Sequence, residues 1–197
     1  MHCDSWCRND YRIWRVFCYN YLVFSNPKEN IEQFGLSDGM IVADLGAGSG
    51  FYALEAGRAV APMGKVYAVD IQKDLLDRLK NEAHHARVNN VEIISGDVEK
   101  IGGTKIREGS VDRVIAANIL FMLADKKNFV GEIKRILKNR GTVLLVDWAG
   151  SFSQMGPHPD HVVYKDKAVQ LFVDAGFKVE KEIRAGSHHY GIVFRKV

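Results

Sequence analysis

Residues 40–50 read Met-Ile-Val-Ala-Asp-Leu-Gly-Ala-Gly-Ser-Gly, an apolar run around a single acid, Asp44, that passes straight into three alternating glycines. Asp38-Gly39 before the run and Gly46 after it bound it as a buried strand is bounded. Gly46 can turn at positive φ, Gly48 lets backbone approach a ligand with no Cβ in the way, and Gly50 permits tight packing of strand against helix. A mere tight turn is the plainer reading. Three alternate glycines cost conformational entropy that only close backbone approach would offset, so the ligand loop is preferred.

Outward from this stretch, strands and helices alternate. Downstream, Tyr52 to Val60 reads as a helix and Lys65 to Val69 as a second strand. Leu75, Leu76, Leu79, Ala83 and Ala86 share one helical face, and Val91 to Ile94 is a third strand. Val111 to Ala117 is a fourth; a helix follows with Phe129, Val130, Ile133, Ile136 and Leu137 inward, Lys126, Lys127, Lys134 and Lys138 outward, and Gly141 as its stop. The almost continuously apolar fifth strand, Thr142 to Val146, is what a parallel strand covered on both faces requires. Beyond Trp148, Gly150, Gly156, Pro157 and Pro159 mark a loop, and Ala168 to Ala175 a helix ending at Gly176. Phe177, Val179 and Ile183 alternate with charges, Tyr190 to Phe194 follows closely, and these last two strands should pair antiparallel. Upstream, Asn26-Pro27 opens a helix from Lys28 to Phe34 that Gly35 ends. The expected fold is α/β: a doubly wound, mostly parallel seven-stranded sheet with helices on both faces and a terminal antiparallel strand.

In such sheets a ligand binds beyond the carboxyl ends of the strands. Spacing narrows its class. The third glycine of a dinucleotide fingerprint would fall at Phe51, which disfavours NAD and FAD, and no Lys lies between Met40 and Met63 to make an ATP-cradling loop. Ser49 has Ala47 and Phe51 two positions away instead of glycines, so it is no nucleophile elbow. A ligand with a ribose and no phosphates remains. Asp70 ends the second strand, where a carboxylate accepts from vicinal ribose hydroxyls, and Asp97 follows the third strand, where it can accept from an adenine amine. Asp70 also reads as a solvated turn residue and Asp97 as a helix cap. Counting Asp44, however, three acids at successive strand ends fit one pocket.

Through Val42 to Gly50, Val66-Tyr67-Ala68-Val69-Asp70 and Gly96-Asp97-Val98, the chain resembles the class I S-adenosylmethionine-dependent methyltransferases over residues 27 to 197. The resemblance implies S-adenosylmethionine as cofactor. It further implies that Asp44, Gly46, Ala47 and Gly48 hold the methionine portion, Asp70 and Ile71 the ribose, and Asp97 and Val98 the adenine, with Asn118 between cofactor and acceptor. Asp147-Trp148 and Met155-Gly156-Pro157 echo the small-molecule branch that includes the quinone-biosynthesis enzymes. The double proline that the amine-methylating nucleic-acid enzymes carry after strand four is absent at Asn118.

A sulfonium methyl is already activated, so the protein need only align a nucleophile and exclude water. Oxygen or carbon acceptors usually need a base. His158 and His161, in the loop after the fifth strand, are the candidates, against a reading as partnerless loop histidines, which is preferred for His84, His85, His188 and His189. With 27 basic and 24 acidic residues the net charge is only +3, too little for a dedicated nucleic-acid binder. Cys3, Cys7 and Cys18 all lie near the start; their spacing is a poor match to zinc sites and no metal is expected. An odd cysteine count points to a reducing, cytoplasmic setting. Val16 to Phe24 is too short to span a membrane, and Asp4 and Asp10 weaken a transit-peptide reading of Arg8, Arg12 and Arg15. Residues 1–26 are read as a helical extension or lid, and 27–197 as the binding domain. The expected function is methyl transfer to a small, largely apolar molecule, with protein side-chain methylation or a non-catalytic cofactor-binding subunit as alternatives.

Overall fold

The computed structural model describes residues 25–152 and 155–197. Helix α1 (Pro27–Phe34) opens with proline in its first turn, is capped by the Asn26 side chain, which accepts from the amides of Lys28 and Glu29, and ends at Gly35 with φ +77°. It buries Ile31 and Phe34. Strand β1 (Ile41–Leu45) leads through the glycine loop to α2 (Phe51–Val60), then β2 (Lys65–Asp70), α3 (Lys73–His85) and β3 (Val91–Ser95). Strand β4 (Val111–Ala117), α4 (Lys126–Ile136), β5 (Leu137–Trp148), α5 (Lys165–Asp174), β6 (Phe177–Ile183) and β7 (His189–Lys196) follow.

The seven strands lie in the order β3-β2-β1-β4-β5-β7-β6. All ladders are parallel except those of β7, which runs antiparallel to β5 and β6 and sits between them. Chain order reverses between β1 and β4, which opens a crevice at their carboxyl ends. One face buries Phe34, Tyr52, Val60 and Leu79 from α1, α2 and α3. The other buries Phe129, Ile133 and Phe172 from α4 and α5, with Phe172 stacked on Phe194 of β7 at 4.4 Å. No helix among the described residues is long and apolar enough to cross a membrane.

Helix α4 stops five residues before Gly141. Leu137 leaves the helix because it pairs with Val111 and is fully buried in the strand, and β5 then runs through Gly141 to Trp148. Gly141 serves close backbone approach instead of helix termination: a Cβ there would sit 3.0 Å from the Lys138 carbonyl. Strand β6 is not amphipathic either. Val179 is 42% exposed beside Lys178 and Glu180, as suits an edge strand blunted by charge.

The crossover from β3 to β4 has no helix. Glu132 of α4 takes its place as an anchor. Its buried carboxylate accepts from the Gly102 amide at 2.7 Å, the Thr104 amide at 3.3 Å, the Thr104 hydroxyl, and Arg135 Nε and Nη2 at 2.7 and 2.8 Å. One side chain therefore satisfies three donors of an irregular segment that no ladder serves.

Candidate functional site

Four acids and one amide gather at the carboxyl edge of the sheet. Asp44 closes β1 and is 2% exposed; its Oδ2 has no hydrogen-bond partner among the described residues. Burial pushes this carboxyl up to about 7, opposed by the Ala53 amide and reinforced by the nearby charge of Asp70. A buried carboxylate with one oxygen unanswered is costly, so it marks a position prepared for a donor or a cation.

The glycine loop is held in place by β2. Gly46 and Ala47 amides donate to the Val69 carbonyl at 2.8 and 3.0 Å, and the Gly48 amide donates to Asp70 Oδ2 at 2.9 Å. The other Asp70 oxygen accepts from the Gln72 amide at 2.9 Å. Asp70 is therefore a brace for the loop as well as an edge carboxylate, a duty its strand-end position does not reveal. Gly46, with φ +77°, leaves no room for a side chain, since a Cβ would meet Ile119 Cδ1 at 2.2 Å. Above Gly48 the space is open: a Cβ would meet nothing within 4 Å. Gly50, at φ +91°, packs so closely on Leu79 that a Cβ would lie 2.4 Å from Cδ1.

Asp97 stands past β3 at the same edge, but its carboxylate is engaged locally. Its Oδ1 accepts from the Glu99 amide at 3.0 Å and its Oδ2 pairs with Lys100 at 3.0 Å; the Lys100 hydrogen bond, then the Glu99 amide, hold the acid below its ordinary range. Val98 is buried, whereas Ile71 beside Asp70 is 65% exposed. Asn118 follows β4 in the left-handed region at φ +54°, its amide donates to Val146 at 2.8 Å, and its buried Oδ1 has no partner among the described residues. Asn is among the few residues besides glycine that adopt this conformation readily.

The two candidate bases separate. His158 pairs with Asp160 at 3.3 Å and lies edge-on to His161 at 6.1 Å between centroids, both in exposed loop. His161, not His158, lines a cavity of about 710 Å³ with Phe121, Met122, Leu123 and Val162. His188 and His189 are not solitary surface residues: His189 is 7% exposed with its ring 4.4 Å from Trp148, and His188 stacks on Phe152 at 4.2 Å. The adjacent pairing of β5 with β7, Trp148 opposite His189, brings these rings together across 41 residues of chain.

One residue carries more of the site than its sequence context predicts. Asp147 is 1% exposed at the end of β5, and its oxygens accept from the Leu120 and Trp148 amides, each at 2.8 Å. Burial raises its carboxyl to about 6 against those amides, the Ile119 amide and the charge of Lys126. An acid closing an otherwise apolar strand was the available signal. Cys3, Cys7 and Cys18, and the expected N-terminal extension apart from Ser25 and Asn26, lie outside the described residues.

Residues 36–186 match the family model described as Methyltransferase domain. The fold superposes on a SAM-dependent methyltransferase from Aquifex aeolicus with TM-score 0.83 and 27% identity, covering 94% of this chain and 97% of that one. The chain is 28% identical to the arsenite methyltransferase of Halobacterium salinarum over 64% of its length and 31% of the relative's. It is 25% identical to the demethylmenaquinone methyltransferase of Lactococcus lactis over 73% of its length and 52% of the relative's. It thus spans about a third of the first curated relative and about half of the second.

Proposed function

We infer the function from one premise: the chain belongs to the methyltransferase-domain family and uses S-adenosylmethionine. The proposal is methyl transfer from that cofactor to a small, largely apolar acceptor. The observation that carries it is the orphaned, buried Asp44 Oδ2 beside an open Gly48, a fit for a cationic, phosphate-free ligand brought close to backbone. Two small-molecule enzymes among the relatives support a small acceptor.

In this reading Asp44 and Gly46 to Gly48 hold the methionine portion, Asp70 and Ile71 the ribose, and Asp97 and Val98 the adenine. Asn118 lies between cofactor and acceptor. Bound there, the cofactor supplies a methyl group on a positively charged sulfur. The chain's own contribution is to orient and to keep water out. His161 is the proposed proton acceptor for an oxygen or carbon nucleophile, because it and not His158 lines a cavity. Residues 1–26 are proposed as a lid. The Ser25 hydroxyl lies 3.0 Å from the Tyr52 hydroxyl and accepts from Asn30 at 2.9 Å, which holds Ser25 beside the first turn of α2.

Calorimetry tests the cofactor class. S-adenosylmethionine and its demethylated product should bind, and NADH and ATP should not; tight NADH binding would overturn the reading. A second expected result concerns Asp70. Asp70→Ala should lower cofactor affinity by about 1.5 to 3 kcal/mol, the range for hydrogen bonds to a charged group, or roughly 10- to 150-fold. Since Asp70 also holds the Gly48 amide, the melting curve is measured alongside. An affinity unchanged by the substitution removes Asp70 from the site.

A further inference from the structure

None of the candidate cofactor residues Asp44, Asp70, Asp97 and Asn118 lines the 710 Å³ cavity, whose wall begins at Phe121, three residues past Asn118. Its size is that of a small-molecule site. One wall is the turn Leu120–Met122 with the start of α4, and the other runs from His161 to Val163 and the start of α5.

Both walls are tied from beneath by one cross-strand pair. Asp147 of β5 and Tyr190 of β7 are direct ladder partners. Asp147 Oδ2 accepts from the Leu120 amide at 2.8 Å, and the Tyr190 hydroxyl donates to the Val163 carbonyl at 2.8 Å. The gap between the walls is thus set by one buried and one part-buried hydrogen bond to the sheet, not by the chance lie of two loops. Sites supported in this way hold their geometry better than loop-only sites.

The lining divides by polarity. Leu123, Val162, Val163 and Leu171 supply an apolar surface, and Met122, 60% exposed, extends it to the rim. Two lysines, Lys126 and Lys167, belong to the same lining. Lys126 Nζ donates to the Leu123 carbonyl at 2.7 Å, which holds it at the wall, and Lys167 makes no hydrogen bond or ion pair among the described residues. The single acid of the lining, Asp160, faces His158 at 3.3 Å. Both lysines also belong to the first turn of their helices, where the helix dipole favours an anion. An apolar surface beside two cations selects a molecule with an apolar body and one anionic end.

We propose that this cavity takes the carboxylate end of the methyl acceptor, an amphipathic organic acid whose apolar body lies on Leu123, Val162 and Leu171 and whose anion is met by Lys126 and Lys167. The assignment to the acceptor rests on the methyltransferase reading; the ligand chemistry rests on the cavity alone.

Octanoate and octan-1-ol serve as probes, titrated into the full chain with and without saturating S-adenosylhomocysteine. Octanoate should bind saturably and at least about tenfold more tightly than octanol, the difference an ion-paired carboxylate makes. The exposed substitution Lys167→Gln should weaken octanoate at least about fivefold and leave octanol and S-adenosylhomocysteine unchanged. Equal binding of acid and alcohol, no binding of either, or indifference to Lys167→Gln overturns the ligand class. Octanoate should bind equally well beside S-adenosylhomocysteine; mutual exclusion overturns its assignment as acceptor. Failure of S-adenosylhomocysteine to bind while octanoate does so sinks the methyltransferase reading and leaves the cavity's ligand chemistry standing.

Discussion

Asp44→Asn should weaken binding of S-adenosylmethionine by about a hundredfold or more, because in the proposed site the change removes the buried carboxylate set against the cofactor's cationic methionine end and keeps the side chain's shape. Removing one partner of a buried ion pair typically costs about 3 to 5 kcal/mol, more than a hundredfold in affinity. The expected pH profile separates this from a packing effect. In the ligand-free chain burial raises the Asp44 carboxyl to about 7, so below that pH it is mostly neutral and a cation must bind against protonation. Wild-type affinity should therefore rise by about tenfold per pH unit as pH climbs toward 7 and level off above it. The Asn variant should show no such rise. Calorimetry between pH 5.5 and 8.5 reads both results, and a wild-type affinity flat across pH 7 would refute the role of Asp44.

Glu132→Gln should destabilise the fold by about 3 kcal/mol, as expected when one member of a buried, hydrogen-bonded ion pair is neutralised. The Glu132 side chain is 0% exposed and Arg135 is 20% exposed, so solvent screens the pair little. Burial pushes the carboxyl up, but Arg135, the Thr104 hydroxyl and the Gly102 amide outweigh it and hold the acid at about 2 against an ordinary 4.5. Its folded value is depressed, so its stabilisation is complete above about pH 4.5 and is lost as pH falls toward 2. Urea titrations at pH 7 and pH 3 check this: the gap between wild type and variant should be widest at pH 7 and narrow at pH 3. Cofactor affinity at pH 7 falls less than stability, because Glu132 anchors the crossover and does not line the glycine loop. An equal gap at both pH values would show that the charge is not the source.

The glycine loop and the acids at the strand ends were legible because each is a local statement. Glycines at 46, 48 and 50 announce positive φ and close approach wherever the loop ends up, and the strand patterns around Asp44, Asp70 and Asp97 place those acids at one edge once the strands are parallel. The two-fold engagement of Asp70 was not legible. It depends on the Gly48 amide arriving 22 residues away in sequence.

Read alone, the sequence determined the order of strands and helices and the mostly parallel sheet, and its motifs carried the family resemblance that implied the cofactor. The fold follows from periodicity and from turn residues, which act over short stretches of chain. Tertiary structure decided what depends on distant partners. Leu137 became strand because Val111 was there to pair with it, and Glu132 replaced a crossover helix because residues 102–104 offered it three donors. His188 and His189 gained aromatic neighbours, and Asp147 and Tyr190 came to frame a cavity, once β7 entered the sheet beside β5. A hydrophobic pattern states which face of an element is apolar; it does not state which polar atom of another element will meet the exception on that face, and the site is built from those exceptions.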